Sequence, residues 1–190
     1  MDAVIFASGQ GSNARAILAA ANDGRLGGVK ISAVVSDNPD SPALKIAESF
    51  GARAVHIDPM RKGARFSPEG KARYIDFIEK TKPELIVLAG FMRILPEKFV
   101  EKFSAITINL HPSLLPAYKG KDAVKRAFEA GEKFCGCTVH YVSNELDGGE
   151  IIAQSRVEIS AADTLESLTE KVHRAEHELL LRVIADFSKK

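Results

Sequence analysis

The chain has 190 residues, 45% of them hydrophobic and 27% charged, with 26 basic residues against 25 acidic ones. This length suits one domain with a sizeable core, and the composition excludes a disordered chain. A formal charge of +1 implies no general nucleic-acid surface, and the N-terminal apolar run of about five residues is too short for a signal core or a membrane span.

The first strand is predicted at 2–7, where an apolar run ends in a glycine-rich turn, and a helical pattern follows at 12–24. In that turn Gly9, Gly11 and Ala14 fit G-x-G-x-x-A. Glycines permit positive φ and close backbone approach, and the N–H groups of a helix start attract an anion. Ser12 and Asn13 add polar side chains whose plain role is N-capping. After a strand at 30–36 stands Asp37, where a dinucleotide fold places its ribose-binding acid, though further from the glycines than the usual ~20 residues. The turn thus predicts phosphate binding without saying whose phosphate.

A helix at 42–50 and a strand at 53–57 lead to the longest irregular stretch, DPMRKGARFSPEG (58–70), read as a solvated connection or a lid. A helix at 68–81 is followed by a strand at 84–89, and LIVLAGF (85–91) has the unbroken apolarity of a strand covered on both faces. A helix at 96–101 precedes a strand at 106–110, which delivers Asn109 and His111 two apart at its carboxyl end, just before Pro112. An amide donor and an imidazole placed there can stabilise an oxyanion and move a proton, or can merely satisfy loop backbone. A helix at 121–130, strands at 137–143 and 150–158 forming a hairpin around DGG, and a long helix at 164–187 complete the order. This alternation predicts an α/β fold: one domain over 1–190, doubly wound around a mainly parallel sheet, with an antiparallel hairpin near its C-terminal end.

Asp147 lies in the hairpin's glycine turn, where its plain role is turn formation; beside His111 its carboxylate would favour the charged imidazole. Cys135 and Cys137, two apart on one strand, suit burial and not a disulfide, and read as free thiols of a reducing cytoplasm. HRAEH (173–177) matches H-x-x-E-H, but it lacks a further ligand, so no metal is expected and His173 and His177 are read as packing or solvated residues of one helix face.

In order and spacing, SGQGSN, VLAGFMRIL, INLHPSLLP and LDGG followed by IIAQ resemble the folate-dependent formyltransferases, and within them the branch that formylates glycinamide ribonucleotide. The likeness runs from about residue 2 to about residue 185. The HPSLLP block with a downstream Asp is also shared with methionyl-tRNA formyltransferase and formyltetrahydrofolate deformylase, whose additional domains a chain of 190 residues has no room for. The resemblance implies that Gly11, Ser12 and Asn13 hold the ribonucleotide's phosphate and that Glu176 contacts the same substrate. It implies catalysis by Asn109, His111 and Asp147. It also implies a folate pocket walled by Met92, Arg93, Ile94 and Leu95, by Asn109, and by Ser143, Asn144, Glu145, Leu146 and Asp147. The co-substrate implied is 10-formyltetrahydrofolate, with no metal, no nucleic acid and no membrane involved. One departure is the long loop, where many members carry Ser-Arg-Glu and this chain has SPEG, with Pro68 at the Arg position.

Overall fold

The computed structural model describes residues 1–189. Seven strands form one sheet in the order β3-β2-β1-β4-β5-β6-β7. The first half comprises β1 (Asp2–Phe6), α1 (Ser12–Asn22), β2 (Lys30–Ser36), α2 (Pro42–Ser49), β3 (Ala54–His56), α3 (Pro68–Thr81) and β4 (Leu85–Leu88). The second comprises α4 (Glu97–Phe103), β5 (Thr107–His111), α5 (Ala123–Glu129), β6 (Phe134–Tyr141), β7 (Ile151–Glu158) and α6 (Leu165–Phe187). From β3 through β5 neighbouring strands run parallel, whereas β5 with β6 and β6 with β7 are antiparallel.

The central strands divide their side chains strictly between two faces, as a period of two requires. Ala3 and Ile5 of β1 join Val34, Leu85 and Val87 under Ile17 and Leu18 of α1, Ile46 of α2 and Leu180 and Ile184 of α6. Val4 and Phe6 join Val35, Ile86 and Leu88 on the other face, under Tyr74 and Ile78 of α3 and Phe99 of α4. With both faces covered, β4 is buried along its whole length, which explains its lack of polar alternation. Each large aliphatic side chain so buried contributes about 1.5–3 kcal/mol.

The chain leaves β1 toward β2 on one side and returns to β4 on the other. The carboxyl ends of β1 and β4 therefore flank a topological switch point, the crevice where open α/β sheets hold ligands. Several predicted limits shift. The strand predicted at 106–110 extends to His111, and the one predicted at 137–143 begins at Phe134. The 53–57 strand shrinks to Ala54–His56, a short sheet edge. SPEG is a helix start: Ser67 caps α3 by accepting a bond from the Gly70 N–H at 3.0 Å, and Pro68 occupies the first turn, where its missing N–H costs nothing. Both cysteines are buried and free, and burial pushes their thiols up to about 11 at Cys135 and about 12 at Cys137.

Candidate active site

The turn after β1 is built against α2. Gly11 is the N-cap of α1 with φ 75°, and a Cβ there would lie 2.8 Å from the Ala43 Cα, so only glycine fits. The Ser41 hydroxyl, itself the cap of α2, donates to the Gly9 carbonyl at 3.0 Å and fixes the turn from outside. Ser12 and Asn13 do not cap α1 as their plain role predicted: both lie inside the helix, and no side chain caps it. The first-turn N–H groups consequently lack the partner a capped helix provides, which is the electrostatic condition for holding an anion. Asn13 reaches instead to α6, where its Nδ2 donates to Glu176 Oε2 at 3.3 Å; its Oδ1 is buried with no hydrogen-bond partner among the described residues. Burial of Glu176 raises its carboxyl above the ordinary range, outweighing the Asn13 bond and the nearby His173.

The polar centre depends on the antiparallel pairing of β5 with β6. Asn109 lies opposite His140, and His111 opposite Thr138, so these four side chains share one face. Asp147 completes the cluster from the β6–β7 connection. Its Oδ2 lies 3.4 Å from His111 Nδ1 and accepts from the Gly120 N–H at 2.8 Å, while its Oδ1 faces Asn109 Nδ2 at 3.4 Å and His140 Nε2 at 3.8 Å. Asp147 sits in the left-handed region with φ 48°, and Gly149 packs so tightly that a Cβ there would stand 1.8 Å from the Tyr141 carbonyl oxygen.

Hydrogen-bond accounting fixes the protons. His140 is buried, which lowers its pKa, so its ring is neutral near pH 7. Its Nδ1–H donates to the Tyr141 carbonyl at 2.8 Å, leaving Nε2 to accept from Asn109 Nδ2 at 3.1 Å. One N–H of Asn109 is thereby committed, and the other makes only the long contact to Asp147. His111 faces oxygen on both sides: Asp147 at Nδ1 and the Tyr118 carbonyl at Nε2, 3.0 Å away. Because a carbonyl only accepts, Nε2 is the donor to Tyr118 O, while Asp147 stands within ion-pair distance of Nδ1. The loop carrying Tyr118 is held from below by Thr138, whose hydroxyl donates to Ser113 O at 2.6 Å and accepts from Leu115 N and from Gln154 Nε2.

Of the proposed wall residues, 92–95 follow β4 and 143–147 lie in the β6–β7 connection. Met92 N–H donates to Ser8 Oγ at 2.8 Å, tying this segment to the end of β1. Met92 and Ile94 are exposed at 64% and 45%, and Leu146 at 54%, so these three apolar side chains are open to solvent. Leu95 turns into the core. Ser143 and Glu145 stabilise their own turn, and Lys119 Nζ holds the Glu145 carboxylate at 2.6 Å; Asn144 is exposed. The Arg93 side chain points elsewhere: it pairs with Asp37, so the acid at the end of β2 is an internal counter-ion. In HRAEH, Glu176 turns to Asn13 and His173 to solvent, and no group of three candidate ligands is arranged around a metal position among the described residues.

Sequence reasoning missed His140, the Tyr118 carbonyl, Gly120 N–H, Thr138 and Gln154. The side-chain members of this set stand on the strand pair β6–β7 and are placed by register, for which a single sequence carries no signal.

Comparison with known proteins bears on the family and the fold. The formyl transferase family matches residues 1–184. Phosphoribosylglycinamide formyltransferase of Bacillus subtilis is 38% identical over 184 residues, covering 95% of this chain and 91% of that protein. The Escherichia coli protein of the same name is 38% identical over 189 residues, covering 99% and 87%. The crystal structure of glycinamide ribonucleotide transformylase 1 from Symbiobacterium toebii superposes with a TM-score of 0.92 at 34% identity, covering all of this chain and 88% of that one. A chain matched over nearly its whole length by these proteins, with a mostly parallel sheet that ends in an antiparallel strand pair, belongs to the formyl transferase family.

Proposed function

We propose that this formyltransferase moves the formyl group of 10-formyltetrahydrofolate to the amine of glycinamide ribonucleotide, a step of purine biosynthesis, in a reducing cytoplasm. The observation that carries the reading is the presence of an uncapped, glycine-fixed helix start after β1 and the Asn109–His111–Asp147 centre after β5 at the same, carboxyl end of the parallel strands. The names of the curated relatives supply the acceptor.

In this reading the first-turn N–H groups at Gly11, Ser12 and Asn13 hold the ribonucleotide's phosphate, with Glu176 beside it. The orphaned Asn13 Oδ1 is a buried acceptor awaiting a donor, and a ribonucleotide brings hydroxyl and amide donors. Met92–Leu95, Asn109 and Ser143–Asp147 face the folate, whose aromatic body suits the exposed Met92, Ile94 and Leu146. The substrate amine adds to the formyl carbon, giving a tetrahedral intermediate. The Asn109 N–H that now makes the long contact to Asp147 turns to the new oxyanion, as does the Nε2 proton of His111. Asp147 supplies the counter-charge for that imidazolium. As the C–N bond to the folate breaks, a proton reaches the departing folate nitrogen from His111, directly or through water, and the proton lost by the acceptor amine returns His111 to its charged form. No covalent enzyme intermediate is needed, and much of the acceleration comes from holding two substrates in line.

The test is absorbance-monitored folate release with and without the ribonucleotide, for wild type and His111→Ala. Release that requires the ribonucleotide and is lost in the variant supports the reading. Release without it would assign a hydrolase instead.

A further inference from the structure

Two residues that sequence patterns placed at ligands, Asp37 and Arg93, spend their side chains on each other. Arg93 Nε stands 2.5 Å from Asp37 Oδ2, with the side chains only 14% and 7% exposed. The same guanidinium donates through Nη1 to the Arg61 carbonyl at 2.9 Å and to the Gly63 carbonyl. The next residue continues the seam, since the Ile94 N–H donates to the Ala64 carbonyl at 2.8 Å. Residues 61–64 are thus fastened to residues 93–94, and the ion pair fastens both to the end of β2. The far end of this irregular segment is closed as well: Ser67 N–H donates to the Pro59 carbonyl at 3.0 Å, and a Cβ at Gly70 would meet that carbonyl oxygen at 2.1 Å.

The pair is hard to replace. A planar guanidinium has donors enough to serve a carboxylate and two carbonyls at once, which a lysine cannot do in this geometry. Asp37 Oδ1 is buried with no hydrogen-bond partner among the described residues, so loss of Arg93 from Oδ2 would leave a nearly enclosed carboxylate uncompensated.

We propose that Asp37 is a positioning residue for the folate co-substrate. It holds Arg93 as an internal strut that fixes the backbone of Met92–Leu95 and the 61–64 segment as one wall. Arg93 therefore serves the pocket through its main chain, and its charge is not offered to the folate's carboxylates. This inference rests on the placement of the folate against Met92–Leu95.

Trypsin reads the strut directly, because Arg61, Lys62 and Arg65 are exposed in the fastened segment. In Asp37→Asn, cleavage within 58–67 should accelerate about tenfold relative to wild type, since local opening and not global unfolding exposes those bonds. The KM for 10-formyltetrahydrofolate should rise about tenfold, more than kcat falls, while the KM for the ribonucleotide stays near wild type. Asp37→Glu, which keeps the charge, should recover part of both effects. Unchanged cleavage in Asp37→Asn and Asp37→Ala would overturn the strut. Faster cleavage with equal increases in both KM values would overturn the positioning role. Should the folate KM stay put in Asp37→Asn and also in Ile94→Ala, the placement of the folate is what fails, and the proposal falls with it.

Discussion

Replacing Gly149 with alanine places a methyl group where the Tyr141 carbonyl oxygen already stands. The added Cβ would lie 1.8 Å from that oxygen, and real Cβ atoms essentially never approach closer than 3.0 Å, so the turn must retreat by at least 1.2 Å, the difference between those separations. Asp147 lies two residues away in a left-handed conformation and reaches His111 and Asn109 by contacts of 3.4 Å, already at the limit of useful hydrogen bonding. A shift of that size separates the carboxylate from both, and misplacement by about 1 Å is worth roughly 100-fold in rate. The expected result is kcat lowered about 100-fold without loss of any polar side chain. Overpacking of this kind costs about 2 kcal/mol, so the melting temperature should fall by roughly 4–8 °C in a chain of this size. Folate release under saturating substrates measures the first quantity and circular dichroism the second. Gly9→Ala is the steric control, with nothing within 4 Å of its added Cβ, and should melt like wild type. Normal turnover in Gly149→Ala despite a lowered melting temperature would show that the position of Asp147 does not set the rate.

Three other variants test separate parts of the site. Asn109→Ala removes one oxyanion donor and should lower kcat ~100- to 1,000-fold; a loss below tenfold would remove it from that role. The joint change Ser12→Ala and Asn13→Ala should weaken ribonucleotide binding more than folate binding in calorimetry, and equal weakening would argue against a phosphate at this turn. Glu176→Gln separates stability from function. Burial raises the Glu176 carboxyl in the folded state, so the native protein binds that proton more tightly than the unfolded chain does. The stability this proton contributes is present below the unfolded value and is lost as pH rises through the folded one. At pH 7 the glutamine variant should therefore melt above wild type, with the gap closing on acidification, while its affinity for the ribonucleotide falls. A variant that melts below wild type at pH 7 would refute the sign.

The sequence made the architecture legible because each layer has its own period. Strictly divided strands such as β1, and helices such as α3 with its Ser67 cap and Pro68 start, announce themselves within a few residues. Asn109 and His111 were legible for the same reason, being two apart at a strand end before a proline. Their partnership with Asp147 was carried by resemblance alone, since no local rule brings a turn 36 residues on from His111 back to it. His140 was invisible: alternation marks it as a strand residue, and only the antiparallel register sets it opposite Asn109. The partner of Asp37 was equally invisible: its place at the end of β2 marks where a dinucleotide fold keeps a ribose acid, while Arg93, which it pairs with, comes from beyond β4.

The resting partner of His111 has a consequence for selectivity between states. Nε2 already donates to a peptide carbonyl, that of Tyr118. A formyl oxygen before attack is another neutral carbonyl, so exchanging one for the other gains almost nothing. Once attack puts negative charge on that oxygen, the same bond becomes charge-assisted and roughly twice as strong. The donor is thus indifferent to the ground state and partial to the species that follows it, the differential that lowers a barrier without tightening a Michaelis complex. Tyr118, held in a left-handed conformation with φ 55°, provides the backbone oxygen against which that preference is measured.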